Sequence, residues 1–252
     1  MIISGVIIAY NEEARIEACI RSLMQVSNQV IVLDSGSDDR TVERARALGA
    51  DVYYRTFNGH IEQKNAAVQL TRHDWVLSLD ADETLSEELI QSIRKLQQRQ
   101  SPPGTNEPDP RLAYRFKRLN NFCGQWIRHG AWYPDAKIRL WHKSFGKWGG
   151  RNPHDQVIPA PDVKMMDLQG PILHYSYDNA DELRIQSDKF AAIARQEMSK
   201  SPALVWRFPM LRAGFKFFRD FVLKLGVLDG KAGLLIAYHN ARYTYLKYSK
   251  IS

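Results

Sequence analysis

Between residues 2 and 97 the chain alternates two hydrophobic periodicities, and that alternation restricts the fold more than anything else in the sequence. Ile2–Ala9 reads as a continuous apolar strand and Trp75–Leu79 as a fully buried one, with Val30–Leu33 and Val52–Arg55 as further strands. Between them, Glu12–Leu23 brings Ile16, Cys19, Ile20 and Leu23 onto one helical face, and Thr41–Leu48 does the same with Val42, Ala45 and Leu48. Gly49 follows in the position helices favour for a glycine stop. Ile61–Leu70 and Ser86–Gln97 complete the series as helices. Strands alternating with helices predict an α/β fold with a parallel, doubly wound sheet. At 99–111 a Pro-rich stretch breaks the pattern and reads as a loop or linker. Strand-like Tyr114–Leu119 and Ala136–Trp141 follow within an aromatic-rich irregular region, and the chain closes in helical pattern. The expected organisation is an α/β half over 1–98, the loop over 99–111, a second half over 112–200 and a helical tail over 201–252.

At 252 residues, 44% hydrophobic and 25% charged, the chain can bury a sizeable core. Cys19 and Cys123 fit neither a disulfide framework nor a zinc spacing, so a reducing compartment is expected. The N-terminal residues carry no basic segment before their apolar run and read as a strand rather than a signal peptide. No apolar run is long enough to span a bilayer. The net charge of +7 is carried by residues 201–252, which hold nine Lys and Arg against Asp220 and Asp229, so residues 1–200 sum to zero. A positive end on a neutral body suits a polyanionic partner.

The most informative short stretch is Trp75-Val-Leu-Ser-Leu-Asp-Ala-Asp-Glu83. A buried strand delivers its last residue to the carboxyl edge of the sheet, where open α/β folds bind ligands. Asp80 and Asp82 there are either oxygen ligands for Mg²⁺ or Mn²⁺, or a turn residue followed by a helix N-cap. A dinucleotide fold is the first to test, and it fails: after the first strand the chain runs Tyr10-Asn-Glu-Glu-Ala14, without the glycines that admit a pyrophosphate. Asp34 nevertheless ends the second strand, where such folds place a carboxylate on a ribose or base. The combination suggests a nucleotide held by its nucleoside end, its diphosphate neutralised through a metal at Asp80-Ala-Asp82.

Four stretches in order, VIIAYNEEARIEACIRSL, VIVLDSGSDDRTVERARALGA, QKNAAV and WVLSLDADE, resemble the nucleotide-binding half of the family 2 glycosyltransferases, which have the Rossmann-like, mostly parallel GT-A fold. Further on, WIRHGAWYPDAKIRLW, PHDQV, ILHYSY and LGVLDGKAGLLIA resemble the lipopolysaccharide inner-core β-1,4-glucosyltransferases within that family. His154-Asp155 departs from the His-Glu pair expected there, keeping the carboxylate but shortening its reach.

The resemblance implies an inverting, metal-dependent hexosyltransferase, with residues 1–98 as the nucleotide-sugar-binding half and 112–200 as the acceptor-binding and catalytic half. UDP-glucose as donor, a phosphorylated glycolipid as acceptor, and a cytoplasmic place on the inner face of the cytoplasmic membrane follow in the same way. It gives Asp82 the direct metal contact with Mg²⁺ or Mn²⁺, Asp80 the ribose or a metal-bound water, and His174 a further metal position. Asp34 would bond the base or ribose, Tyr10, Asn11 and Glu12 would line the nucleoside pocket, and Lys64, in QKN, would reach the nucleotide. Asp155 is the candidate base, since an in-line displacement needs one carboxylate across the anomeric carbon from the diphosphate. Arg139 and Arg151 are candidates for phosphate oxygens, and Trp126, Trp132 and Tyr133 for a platform under a sugar.

In the tail, Leu204, Phe208, Leu211, Phe215, Phe218, Val222 and Leu225 recur at helical spacing beside Arg212, Lys216 and Arg219, and Pro209 starts or kinks that helix. A basic, Phe-rich amphipathic helix fits the headgroup plane of an anionic membrane, or packs on the body of the protein. No nucleic-acid-binding module accompanies the basic residues, so no nucleic-acid partner is expected. A polyprenyl-phosphate or other polysaccharide glycosyltransferase is the alternative within the family.

Overall fold

The computed structural model describes residues 1–98, 108–151, 154–198 and 208–249. The expected 99–111 loop and the first residues of the expected tail, Leu204 among them, lie largely outside that set. The chain divides into two compact units, one of Met1–Arg118 and Ala136–His174, the other of Leu119–Asp135 and Tyr175–Ser252.

In the first unit the expected alternation is present: β1 (Ile3–Ala9), α1 (Ile16–Met24), β2 (Gln29–Asp34), α2 (Thr41–Ala47), β3 (Asp51–Tyr54), α3 (His60–Gln69), β4 (Trp75–Asp80), then β5 (Glu83–Leu85) and α4 (Glu87–Gln98). β1 pairs in parallel with β2 and β4, and β2 with β3. The sheet continues through β6 (Leu112–Phe122), β8 (Asp135–His142) and β11 (Lys164–Tyr177), giving the order β3-β2-β1-β4-β8-β6-β11-β5. β8 runs antiparallel to β4, and β5 antiparallel to β11. A short β7 (Gln125–Ile127) pairs with the end of β6, and β9 (Gly146–Arg151) and β10 (His154–Pro159) form a separate antiparallel hairpin.

The sheet is covered on both faces, as the unbroken apolar strands require. Ile16, Cys19, Ile20 and Leu23 of α1, with Leu89, Ile90 and Ile93 of α4, pack on Ile3, Ile7, Leu77 and Leu79. Ala67 and Val68 of α3 pack with Val6, Val76, Trp141 and Trp148 in a second cluster. Each fully buried Ile or Leu contributes about 1.5–3 kcal/mol over leaving it in water. Gly49 takes φ 83° just past α2, the left-handed stop its position predicts.

Two local differences matter for the site. α1 starts at Ile16 rather than Glu12, because Asn11 adopts φ 54° and the chain turns before the helix, with Arg15 and Ile16 N–H both donating to the Glu12 carbonyl. Much of the region read as irregular is strand: β9, β10 and the long β11.

In the second unit α7 (Gly230–Tyr248) packs against α5 (Ala180–Met198) and α6 (Pro209–Phe218). Pro209 opens α6, and a π-helical turn (Arg219–Leu223) and a 3₁₀ turn (Gly226–Asp229) lead into α7. Phe122, Ile127, Leu183, Ala232 and Ile236 form its core. Gly233 lies so close to the Gly226 carbonyl that an added Cβ would stand 1.9 Å from its oxygen, which explains a small residue on each side of that turn.

Candidate active site

The strand registers place the acidic residues. Ala9 of β1 stands beside Asp34 of β2, and Ile8 beside Asp80 of β4, so two carboxylates flank the carboxyl end of the central strand. Asp34 is buried and shapes its own loop: it accepts from Gly36 and Ser37 N–H at 2.8 and 3.0 Å and from the Ser37 hydroxyl. The loops after β1 and β2 are laced together. Asn11 N–H donates to Ser37 Oγ at 2.9 Å and its side-chain oxygen accepts from Asp38 N–H at 3.0 Å, while Glu12 N–H donates to Thr41 Oγ1 at 2.7 Å. Tyr10 and Asn11 stand exposed there, and Glu12 is half-buried.

Helix α3 carries the QKN element, and each of its three side chains grips a different part of the unit. Gln63 Nε2 donates to Ser35 Oγ at 3.1 Å and to the Arg55 carbonyl at 3.0 Å. Lys64 Nζ lies 2.6 Å from Asp80 Oδ1 and 2.7 Å from Asp155 Oδ2. Asn65 exchanges two hydrogen bonds with the backbone of Trp148 in β9, at 2.9 and 3.0 Å. The Lys64 ammonium also lies 4.3 Å from the centre of the Trp148 ring, a cation–π contact.

Arg139 departs from the expectation that it meets phosphate. It is buried on β8, between β4 and β6, and donates from Nη2 to Asp80 Oδ2 and Glu83 Oε1, both at 2.8 Å. Glu83, which sequence reasoning did not single out, is fully buried, accepts the Asp80 N–H at 3.0 Å and pairs with Arg118 at 3.3 Å. The result is a continuous chain of alternating charge, Asp155–Lys64–Asp80–Arg139–Glu83–Arg118. Burial pushes the Asp80 carboxyl upward, but Arg139 and Lys64 outweigh it and hold Asp80 well below the usual carboxylate range. Burial likewise opposes the charge on Arg139, and Asp80 and Glu83 reverse that effect and raise it. Removing one partner from such a buried pair costs about 3–5 kcal/mol, because the other charge is left uncompensated.

Asp82 lies outside this chain. Its Oδ2 is 3.1 Å from His174 Nε2, and both side chains are partly exposed. The pairing of β5 with β11 sets this up, since His174 stands beside Glu83 in the register. Among the described residues no cluster of three metal-ligating side chains exists. Asp82 and His174 are nonetheless adjacent oxygen and nitrogen donors, one of them a carboxylate, and would suit a Mg²⁺ or Mn²⁺. Glu12 is raised to about 7, first by burial and then by the neighbouring Asp82 charge, with Asp39 and Asp80 adding to it against Arg15. The Cys19 thiol, buried 3.5 Å from the Asp80 carbonyl, is pushed well up by burial and then by Glu83, Asp82 and Asp80, so it offers no thiolate nucleophile.

Arg151 is exposed at the end of β9. Trp132 belongs to the second unit and packs edge-on to Phe122 and tilted against Tyr177, at 5.9 and 5.8 Å, as part of that unit's core rather than as an open sugar platform. Tyr133 precedes the cis Pro134 in the same segment. Trp126 pairs edge-on with Tyr175 at 5.3 Å.

Residues 4–102 match the model of glycosyl transferase family 2. The uncharacterized glycosyltransferase RT0209 of Rickettsia typhi is 34% identical over 206 residues, 79% of this chain and 68% of that protein. The lipopolysaccharide core biosynthesis glycosyltransferase LpsC of Rhizobium meliloti is 23% identical over 256 residues, 99% of this chain and 91% of its own. Among solved structures, a Mycobacterium tuberculosis glucosyl-3-phosphoglycerate synthase in complex with Mn²⁺, UDP-glucose and phosphoglyceric acid is 36% identical over 32% of this chain and 34% of that one, with a TM-score of 0.31. This match spans only about a third of that structure's length.

Proposed function

This chain belongs to the family 2 glycosyltransferases, and from that membership we propose that it is an inverting hexosyltransferase that moves glucose from UDP-glucose onto a heptose of a lipopolysaccharide inner core. The observation that carries the site assignment is the sheet edge at β1, where Asp34 and Asp80 flank the strand end and Asp82 faces His174 beside them. The similarity to LpsC along nearly the whole chain supports the lipopolysaccharide acceptor.

In this reading the nucleoside lies over the loops after β1 and β2, against Tyr10, Asn11, Glu12 and Asp34. Asp82 and His174 would hold the Mg²⁺ or Mn²⁺. The cation supplies charge that offsets the departing diphosphate. Asp155 accepts the proton of the acceptor hydroxyl as its oxygen bonds to the anomeric carbon; the bond from that carbon to the diphosphate breaks on the opposite face, and the configuration inverts. Only 10% of the Asp155 side chain is exposed.

The second unit supplies the membrane contact. Phe208, Met210, Leu211, Phe215, Phe218, Val222, Leu223, Leu225, Val227 and Leu228 are all exposed, with Met210 and Leu211 at 77% and 72%, and Arg212, Lys216, Arg219 and Lys224 lie among them. An apolar face of that size beside lysine and arginine fits the interfacial plane of an anionic bilayer. Among the described residues no helix is long and apolar enough to cross a membrane, so the contact is peripheral in this reading.

The deciding experiment is a donor and acceptor screen with the purified protein, reading nucleoside diphosphate release with and without Mg²⁺ or Mn²⁺. Metal-dependent release of UDP from UDP-glucose on a heptose-containing lipid is the expected result. Release on polyprenyl phosphate instead would assign the chain to the other branch of the family.

A further inference from the structure

The family resemblance suggests that Lys64 reaches the nucleotide, yet its ammonium is already committed. It sits 2.6 Å from Asp80 and 2.7 Å from Asp155, only 5% exposed, with the Trp148 ring over it. The two carboxylates are not equally dependent on it. Asp80 is also held by Arg139 at 2.8 Å, whereas Lys64 is the ion-pair partner of Asp155 among the described residues. Asp155 arrives on a hairpin strand, β10, whose partner β9 is fixed to the same helix through Asn65 and the Trp148 backbone. Lys64 and Asn65 are consecutive, so one turn of α3 sets both the strand and the carboxylate it carries.

We propose that Lys64 is a positioning residue for Asp155, fixing the proton-accepting carboxylate at a set distance from the donor-holding Asp80 rather than binding the nucleotide itself. The inference rests on the assignment of Asp155 as the base. One ammonium placed between the carboxylate that faces the acceptor and the carboxylate that faces the donor makes their separation a property of a buried, packed side chain. A near-attack geometry requires that kind of fixed spacing. Arginine is a poor substitute, since its planar, forked guanidinium does not present the compact point charge of an ammonium.

The test is a double-mutant cycle on the full-length protein, with UDP affinity measured by calorimetry and transfer by UDP release. Lys64→Met should lower kcat about a hundredfold while UDP affinity stays within about threefold of wild type. Lys64→Met combined with Asp155→Asn should be no slower than Asp155→Asn alone, because a positioning residue has nothing left to position. Additive losses in the cycle, or a UDP affinity that falls in step with kcat, overturn the inference and return Lys64 to the nucleotide. Wild-type turnover by Asp155→Asn alone removes the base assignment and this inference with it, a distinct outcome from additivity. Lys64→Gln, which keeps a hydrogen-bond donor, serves if the methionine variant does not fold, and the same two comparisons apply to it.

Discussion

Asn65 and Trp148, 83 positions apart in sequence, exchange a reciprocal pair of hydrogen bonds: the Asn65 amide donates to the Trp148 carbonyl at 2.9 Å, and its oxygen accepts the Trp148 N–H at 3.0 Å. An asparagine side chain reproduces the donor–acceptor pair of a neighbouring strand, so α3 holds β9 as a sheet edge would. Asn65→Ala removes both bonds and leaves two backbone groups of β9 without their partner. The hairpin that carries Asp155 then loosens, while the donor loops stay as they were. Transfer should fall by up to about a hundredfold, the cost of a displacement near 1 Å at the reacting groups, with UDP affinity unchanged. A parallel loss of UDP affinity in calorimetry contradicts this division of labour.

Asp82 stands outside the buried ion chain, so it can be altered without stranding a charge there. Asp82→Asn should remove the difference between UDP affinity with and without Mn²⁺ and abolish turnover, since an amide cannot balance a divalent cation. The same variant should keep a thermal midpoint close to that of the wild type. Persistent Mn²⁺-dependent binding would place the cation elsewhere.

Glu12 gives a pH dependence with a definite sign. Its carboxyl is raised from 4.5 to about 7 by burial and by Asp82, so the folded state keeps a proton that the unfolded chain has released. Below 4.5 both states are protonated and the group costs nothing; as pH rises from 4.5 to about 7 stability declines, and above that the full cost is present. Glu12 is only partly buried, so solvent screening holds the decline well under the roughly 3 kcal/mol that the whole shift would give. Glu12→Gln, neutral throughout, should flatten denaturant-unfolding stability across that window. An equally sloped profile in the variant means that another group carries the titration.

The apolar stripe on and after α6 is testable without disturbing the core, because its side chains are exposed. Leu211→Glu with Phe215→Glu should abolish sedimentation with vesicles of phosphatidylglycerol and leave the helical circular dichroism intact. Raising the salt concentration should weaken wild-type binding in part only, because Arg212 and Lys216 are screened while the apolar contact is not. Undiminished vesicle binding by the double variant assigns the stripe to some other surface.

The parallel half of the fold was legible because every strand and helix there repeats its own periodicity, and the ends of β2 and β4 fall on Asp34 and Asp80. Residues far apart in sequence were not. Lys64 meets Asp155 across 91 positions, and no local pattern announces that pairing. Arg139 was expected at phosphate oxygens; no local pattern in the sequence shows that it is buried against Asp80 and Glu83, which offset its charge. Glu83 passed unnoticed beside two more conspicuous aspartates. The hairpin of β9 and β10 fell within the region read as irregular, where Gly149 and Gly150 interrupt the strand pattern.

The exposed stripe also changes what concentration means for this protein. Met210, Leu211, Phe215 and Leu228 face outward, and if they seat the protein on a bilayer as proposed, a bound copy searches for a lipid acceptor in two dimensions. Its rate then follows the number of acceptor lipids per unit of membrane area rather than per unit of volume. Diluting the vesicles at fixed composition leaves the turnover of bound copies unchanged, while diluting the acceptor within the bilayer slows them.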